Sequence, residues 1–190
     1  MTMGDISLVG VVQSFAAQIA TFQAMLLAAS AVHKAARWTR SRNVMRQFAG
    51  VPGVLAGTSL GVATIMELAA GALLMVPAYR TTGAALAAFI WTSYLALIVR
   101  AIVEGRRDLD CGCSFGPTSR PLGSFHIVRN LVLAALAVFI AWVSAIGVAV
   151  PAHGTFAQGT VVLGGLALLA LYGALDQVMA LQPLRSGELT

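Results

Sequence analysis

Two cysteines stand one glycine apart in the segment "DLDCGCSFGP", residues 108–117, and the chain has no others. Cys111 and Cys113 are the side chains best suited to chemistry. The Cα separation of an i, i+2 pair overlaps the disulfide range of about 4.4–6.8 Å only when the backbone bends. Gly112 supplies the dihedral freedom for that bend. A ring this small is strained, and strained or exposed disulfides are the labile, reactive ones. Arg106, Arg107 and His126 favour a thiolate nearby, whereas Asp108 and Asp110 oppose one. Three readings follow: a reversible dithiol–disulfide relay, a soft-metal site using both thiolates with His126 or Asp110, or two small residues in a Gly/Pro turn. The metal reading has no second cysteine pair to complete a zinc tetrahedron.

Glu67 is the next candidate, set in the apolar run "GVATIMELAAGALL". A carboxyl within a bilayer costs a few kcal/mol (roughly 2.5–3.5 on insertion scales) and points to function by default. It is either a proton partner for thiol chemistry, which consumes or releases protons, or a neutral carboxyl bonded to Gln18 or Thr21 as interhelical glue. His33 and Lys34 close the preceding run, where a lysine snorkels to the interface. Arg129 lies one turn into the run after the cysteines. It either anchors that loop, pairs with Asp110, or snorkels. Asp176 is expected to pair with Arg100.

The elements that position these residues are legible in the composition. Of 190 residues, 58% are hydrophobic and 10% charged, and the mean hydropathy is +0.85. A soluble domain carries about 25% charged residues, so the chain is an integral membrane protein. Its apolar runs are continuous rather than alternating, which selects helices over a barrel. Five spans are expected, at 7–31, 54–77, 82–103, 126–149 and 158–181, in one membrane domain covering 1–190, with 104–125 as the Cys-Gly-Cys loop. The N-terminus lacks a basic n-region, so no cleavable signal is expected. Lys34, Arg37, Arg40, Arg42, Arg46, Arg100, Arg106, Arg107, Arg120, Arg129 and Arg185 fall on one face of this arrangement, and Arg80 alone on the other. The positive-inside rule then puts the N-terminus outside and the C-terminus inside. Arginines beside anionic lipid account for the net charge of +5, so no nucleic-acid partner is invoked.

Within the spans, Ser14, Gln18 and Thr21 form one helical stripe, which should face the bundle interior. Gly53, Gly57 and Gly61 form overlapping GxxxG patterns that read as internal packing. Residues 33–50 carry a basic stretch that reads either as an interfacial helix or as a solvated loop that sets topology.

The order of these features resembles a known family. His33-Lys34 closes the first span, Phe48 and Pro52 precede the second, and Gly71 follows Glu67. The segment "CGCSFG" comes next, then Arg129-Asn130. Over roughly residues 8–148 this resembles the MauE family of methylamine-utilisation membrane proteins, relatives of the DoxX-like four-helix modules. The family pattern runs Cys-Gly-Cys-Phe-Gly, and here Ser114 intervenes. The resemblance implies an all-α, polytopic membrane bundle, a DoxX/MauE-like four-helix core with a fifth transmembrane helix added. It implies a redox maturation factor rather than a stand-alone enzyme, with Cys111 and Cys113 exchanging and Gly112, Glu67, Arg129, His126 and Lys34 supporting. No metal or other cofactor is expected. The implied partners are a MauD-like thioredoxin-like protein and, as client, the disulfide-rich periplasmic small subunit of methylamine dehydrogenase. The implied location is the bacterial inner membrane, N-terminus periplasmic and C-terminus cytoplasmic. Charge places the cysteine loop on the cytoplasmic side of a protein whose client is periplasmic, so the loop must dip inward or the bundle must alternate access. A non-redox scaffold and a small metal or solute transporter are the competing classes.

Overall fold

A computed structural model describes residues 3–50, 52–106, 123–146 and 155–181. Every regular element among the described residues is helical: α1 (Met3–Ala36), α2 (Trp38–Ala49), α3 (Gly53–Met75), a 3₁₀ turn (Pro77–Tyr79), α4 (Arg80–Val103), α5 (Ser124–Ala145) and α6 (Thr155–Leu181). Five stretches are long and apolar enough to cross a membrane: Leu8–Ala36, Gly53–Met75, Pro77–Val103, Ser124–Ala145 and Gln158–Met179. The chain is a polytopic helical membrane bundle.

The first helix is the central post. In its apolar stretch 56% of residues are buried within the protein, against 6% in α6. It touches α3, α5 and α6, while α4 lies between α3 and α5. Ile19, Phe22, Leu26 and Leu27 of α1 meet Ala70 and Leu74 of α3, Ala87, Ile90 and Trp91 of α4, and Leu133, Ala137 and Ile140 of α5 in one apolar core. The outward side chains, such as Ile65, Phe89, Val138 and Leu171, are large and apolar. In water they would be a liability, but in lipid they are the solvent-compatible surface.

Small residues set how closely the helices approach. A Cβ on Gly71 would lie 3.2 Å from the Ala24 carbonyl oxygen, which fixes the register of α1 against α3. Gly164 and Gly165 of α6 sit against Gln18 and Thr21 of α1. The Ser14/Gln18/Thr21 stripe is thus turned toward protein, and the hydroxyls of Ser14 and Thr21 bond back to their own helix at Gly10 and Ala17. Gly57 and Gly61 face Arg42 and Trp38 of α2. Two of the three GxxxG glycines therefore serve internal packing.

Between α1 and α2 the backbone breaks at Arg37 (φ −116°, ψ 42°). The amphipathic α2 then runs along the first half of α3, and its Phe48 is buried against Ile98 and Ala101 of α4. Gly50 closes α2 at φ 65°, a left-handed conformation that costs a glycine little, and turns the chain into α3. Residues 33–50 are thus helical on both sides of the break, with the arginines of α2 exposed and its apolar face on protein.

Gly83 gives the sharpest steric test of this packing. A Cβ there would lie 2.6 Å from the backbone nitrogen of Leu74, too close for any side-chain adjustment to relieve. Gly83→Ala should lower unfolding stability in detergent by about 1–3 kcal/mol, the usual range for overpacking. Gly10→Ala, which meets nothing within 4 Å, should be neutral or slightly stabilising. Denaturant titrations followed by circular dichroism would compare the two.

Candidate functional site

The most polar point inside the bundle is a four-residue cluster contributed by α1, α3 and α4. Glu67 of α3 is fully buried, at 0% exposure, and Lys34 of α1 nearly so, at 7%. The Lys34 Nζ lies 2.5 Å from Glu67 Oε1. The same carboxylate oxygen accepts hydrogen bonds from Ser30 Oγ at 3.0 Å and from the Tyr94 hydroxyl at 2.7 Å. Lys34 also donates to Ser30 Oγ at 2.8 Å and to the Tyr94 oxygen at 3.1 Å. All three ammonium protons therefore have acceptors, and each hydroxyl both receives and gives a bond. The ammonium also lies 4.9 Å from the centre of the Tyr94 ring, within cation–π range. The second carboxylate oxygen, Oε2, is buried and has no hydrogen-bond partner among the described residues.

Local sequence explains why these groups meet. Ser30 and Lys34 are four residues apart and so share a helix face. The Gly71–Ala24 contact sets the antiparallel register, which brings the last turns of α1 beside Glu67. Gln18 and Thr21 lie several turns further toward the N-terminus of α1, against α6, out of Glu67's reach. The expected Gln18 or Thr21 glue is therefore replaced by Ser30, Lys34 and Tyr94. Lys34 does not snorkel: α1 continues to Ala36 rather than ending near residue 31, and the helix carries the ammonium inward.

Two further polar links cross the bundle. Gln23, 0% exposed, donates from Nε2 to the Leu133 carbonyl at 2.9 Å and accepts from Trp91 Nε1 at 3.2 Å, tying α1 to α5 and α4. Arg129 Nη1 pairs with Asp176 Oδ1 at 3.2 Å, and both side chains are largely buried, at 7% and 11% exposure. This corrects two expectations. Arg129 is not a snorkelling arginine, and Asp176 of α6 selects Arg129 of α5 rather than Arg100. Arg100 is taken by Glu104, four residues on at the C-cap of its own helix, at 2.7 Å. Hydrogen bonds from Arg100, with Arg106 assisting, hold the Glu104 carboxyl below its ordinary range.

Cys111, Gly112 and Cys113 lie outside the described residues, as do Asp108, Asp110, Arg107, Arg120, His153 and Arg185. The two feet of that stretch are described. At the α4 foot, Arg106 donates to the Gln47 carbonyl of α2 at 2.5 Å. At the α5 foot, His126 is 3% exposed and its Nδ1 accepts from the Gly123 backbone N–H at 3.4 Å. Asn130 is one turn deeper, 3% exposed, and donates to the His126 carbonyl at 2.8 Å. Among the described residues no three His, Cys, Asp or Glu side chains converge as metal ligands. Sequence reasoning missed Ser30, Tyr94, Gln23 and Trp91. The i, i+4 spacing of Ser30 and Lys34 was the available signal for the first of these.

The geometry can be set beside known proteins. A family model described as "Methylamine utilisation protein MauE" matches residues 12–143, which include the cluster and both cysteines. A methylamine utilization protein MauE from Methylophilus methylotrophus is 31% identical over 121 residues, covering 63% of this chain and 64% of that relative. The chain thus spans just under two thirds of the length of this relative. A protein of the same name from Paracoccus denitrificans is 29% identical over 153 residues, covering 80% and 81%. No solved structure matches.

The buried pair makes a specific thermodynamic demand. Lys34→Met or Glu67→Met alone strands a charge in the bundle and should cost about 3–5 kcal/mol. The Lys34→Met/Glu67→Met double variant removes both charges and should lose less than the sum of the two single losses. Unfolding of the four proteins in one detergent measures the coupling. Additive losses would contradict a working pair.

Proposed function

The chain belongs to the MauE family, and from that premise we propose that it serves methylamine utilisation as a membrane thiol–disulfide exchange factor. Cys111 and Cys113 are its exchanging pair. The observation that carries this reading is the isolated Cys-Gly-Cys, the chain's only cysteines, within the matched region and between α4 and α5. Those two helices share the most extensive helix–helix contact in the bundle. A dithiol between rigidly related feet can present itself to a partner with little loss of order elsewhere.

The exchange balances without an outside reagent. A thiolate of the reduced pair attacks one sulfur of a partner disulfide, forming a mixed disulfide and releasing the partner's other sulfur as a thiolate. The second cysteine then attacks the mixed disulfide, closing the Cys111–Cys113 ring and leaving the partner as a dithiol. Two electrons and two protons pass from one pair to the other, and the reverse sequence oxidises the partner. The fitting partner is a thioredoxin-like protein of the MauD kind, and the client is the methylamine dehydrogenase small subunit. The arginine distribution supports an inner-membrane orientation with the N-terminus periplasmic and the C-terminus cytoplasmic. Lys34 and Glu67 hold the bundle that presents the pair, and the bundle's integrity is their contribution to exchange.

Removal of the resolving thiol should stop exchange at the mixed disulfide. One of Cys111→Ser and Cys113→Ser should accumulate a reducible, higher-mass adduct on non-reducing gels, and the double variant none. If neither single variant traps a partner and both support client maturation, a non-redox scaffold becomes the better reading.

A further inference from the structure

A half-open cleft lies between α2, α3, α4 and α5, with Lys34 of α1 at its base. Its walls are Val44, Met45, Phe48, Leu60, Leu97 and Ile98, and its polar groups are Lys34, Ser41, Tyr94 and Asn130. The cleft lies in the half of the bundle from which the Cys111–Cys113 stretch leaves α4 and enters α5. Three features define what it would take. First, the Lys34 charge is matched by Glu67 at 2.5 Å, so the floor offers no net charge to an anion. Second, two polar groups in the lining are unused. The Ser41 hydroxyl makes no hydrogen bond among the described residues. Asn130, only 3% exposed, uses its Nδ2 on the His126 carbonyl while its carboxamide oxygen accepts nothing there. Third, the walls are six apolar side chains, a lining that suits an apolar body better than water.

A hydrocarbon chain would fill the walls and leave Ser41 and Asn130 unsatisfied, and water would do the opposite. A neutral ring with polar oxygens and an apolar tail satisfies both. We propose that the cleft binds the head of a lipid-soluble quinone. In the oxidised form a ring carbonyl accepts from Ser41, and in the reduced form a ring hydroxyl donates to the Asn130 oxygen, so both redox states find a partner. Joined to the thiol-exchange reading, on which this further step rests, and run in the direction that oxidises the partner and leaves Cys111 and Cys113 as a dithiol, the quinone is the oxidant that restores their disulfide. Two S–H bonds break and the Cys111–Cys113 S–S bond forms. Two electrons and two protons pass to the quinone, whose carbonyl oxygens become the hydroxyls of the quinol.

The test uses the full chain in lipid nanodiscs, with decylubiquinone as probe and n-decylbenzene as a matched apolar control. Quenching of tryptophan fluorescence reports binding, because Trp91 lies 6.1 Å from Tyr94 at the cleft floor. The expected result is saturable quenching by decylubiquinone and none by decylbenzene. Ser41→Ala/Asn130→Leu should weaken it about tenfold, and Ile98→Phe, which fills the cleft without touching its polar groups, should weaken it similarly. Linear quenching by both probes, or saturable quenching unchanged in both variants, would overturn the site. The Cys111→Ser/Cys113→Ser variant should bind as wild type but form no quinol from decylubiquinone after reduction. If reduced wild type binds decylubiquinone and yields no quinol, the cleft stands as a quinone site and the thiol reading fails.

Discussion

The arrangement depends on one interaction, the ion pair between Lys34 and Glu67 inside an apolar bundle. Either charge alone would cost several kcal/mol to hold away from water. Together, and with Ser30 and Tyr94 saturating the ammonium, they become tolerable only in one geometry. That geometry demands that α1 remain helical past Lys34 and that α1 and α3 keep the register set at Gly71. It also demands that α4 present Tyr94 from the opposite side. A bundle in lipid has no hydrophobic drive to choose among helix registers. A buried pair with one acceptable partner supplies the choice.

From this point the rest of the fold follows by proximity. Because α1 delivers Lys34 inward, the break at Arg37 comes immediately after it, and α2 continues alongside the first half of α3. Phe48 then reaches Ile98 and Ala101, forming a second, smaller core. The space between the two cores is the cleft, with the Lys34–Tyr94 edge as its floor. Arg129 and Asp176 hold the peripheral α6 at the same end of the bundle where the glycine pair Gly164–Gly165 cannot. The helix ends on either side of the Cys-Gly-Cys segment, at Arg106 and Gly123, belong to this braced end of the bundle.

The sequence revealed the class of fold because length and continuity of apolar residues are direct requirements of the bilayer. Glu67 was equally visible, since a carboxyl amid such a run has few structural excuses. Its partner was not. Lys34 stands where a lysine can snorkel, and only five further residues of α1 beyond the expected end turn it inward. Ser30 and Tyr94 were hidden because single hydroxyls are common in apolar helices and carry no pattern of their own. Asp176 was recognised as needing an arginine, but Arg100 and Arg129 lie at similar depth on neighbouring helices. Only packing decides between them, and Glu104, four residues on from Arg100 at the C-cap of α4, tips that choice. The cysteine pair stood out by its spacing alone, because a two-residue separation with a central glycine is visible without the fold, and the choice among relay, metal site and turn rests on chemistry that the described residues do not include.

The central claim is that Cys111 and Cys113 cycle between dithiol and disulfide. The most direct measurement is their redox state in living cells, fixed by acid and resolved with a thiol-reactive mass tag. Cycling predicts both a doubly tagged and an untagged population, with the balance shifting when the thioredoxin-like partner is deleted. A single population, unchanged by that deletion, would contradict the claim.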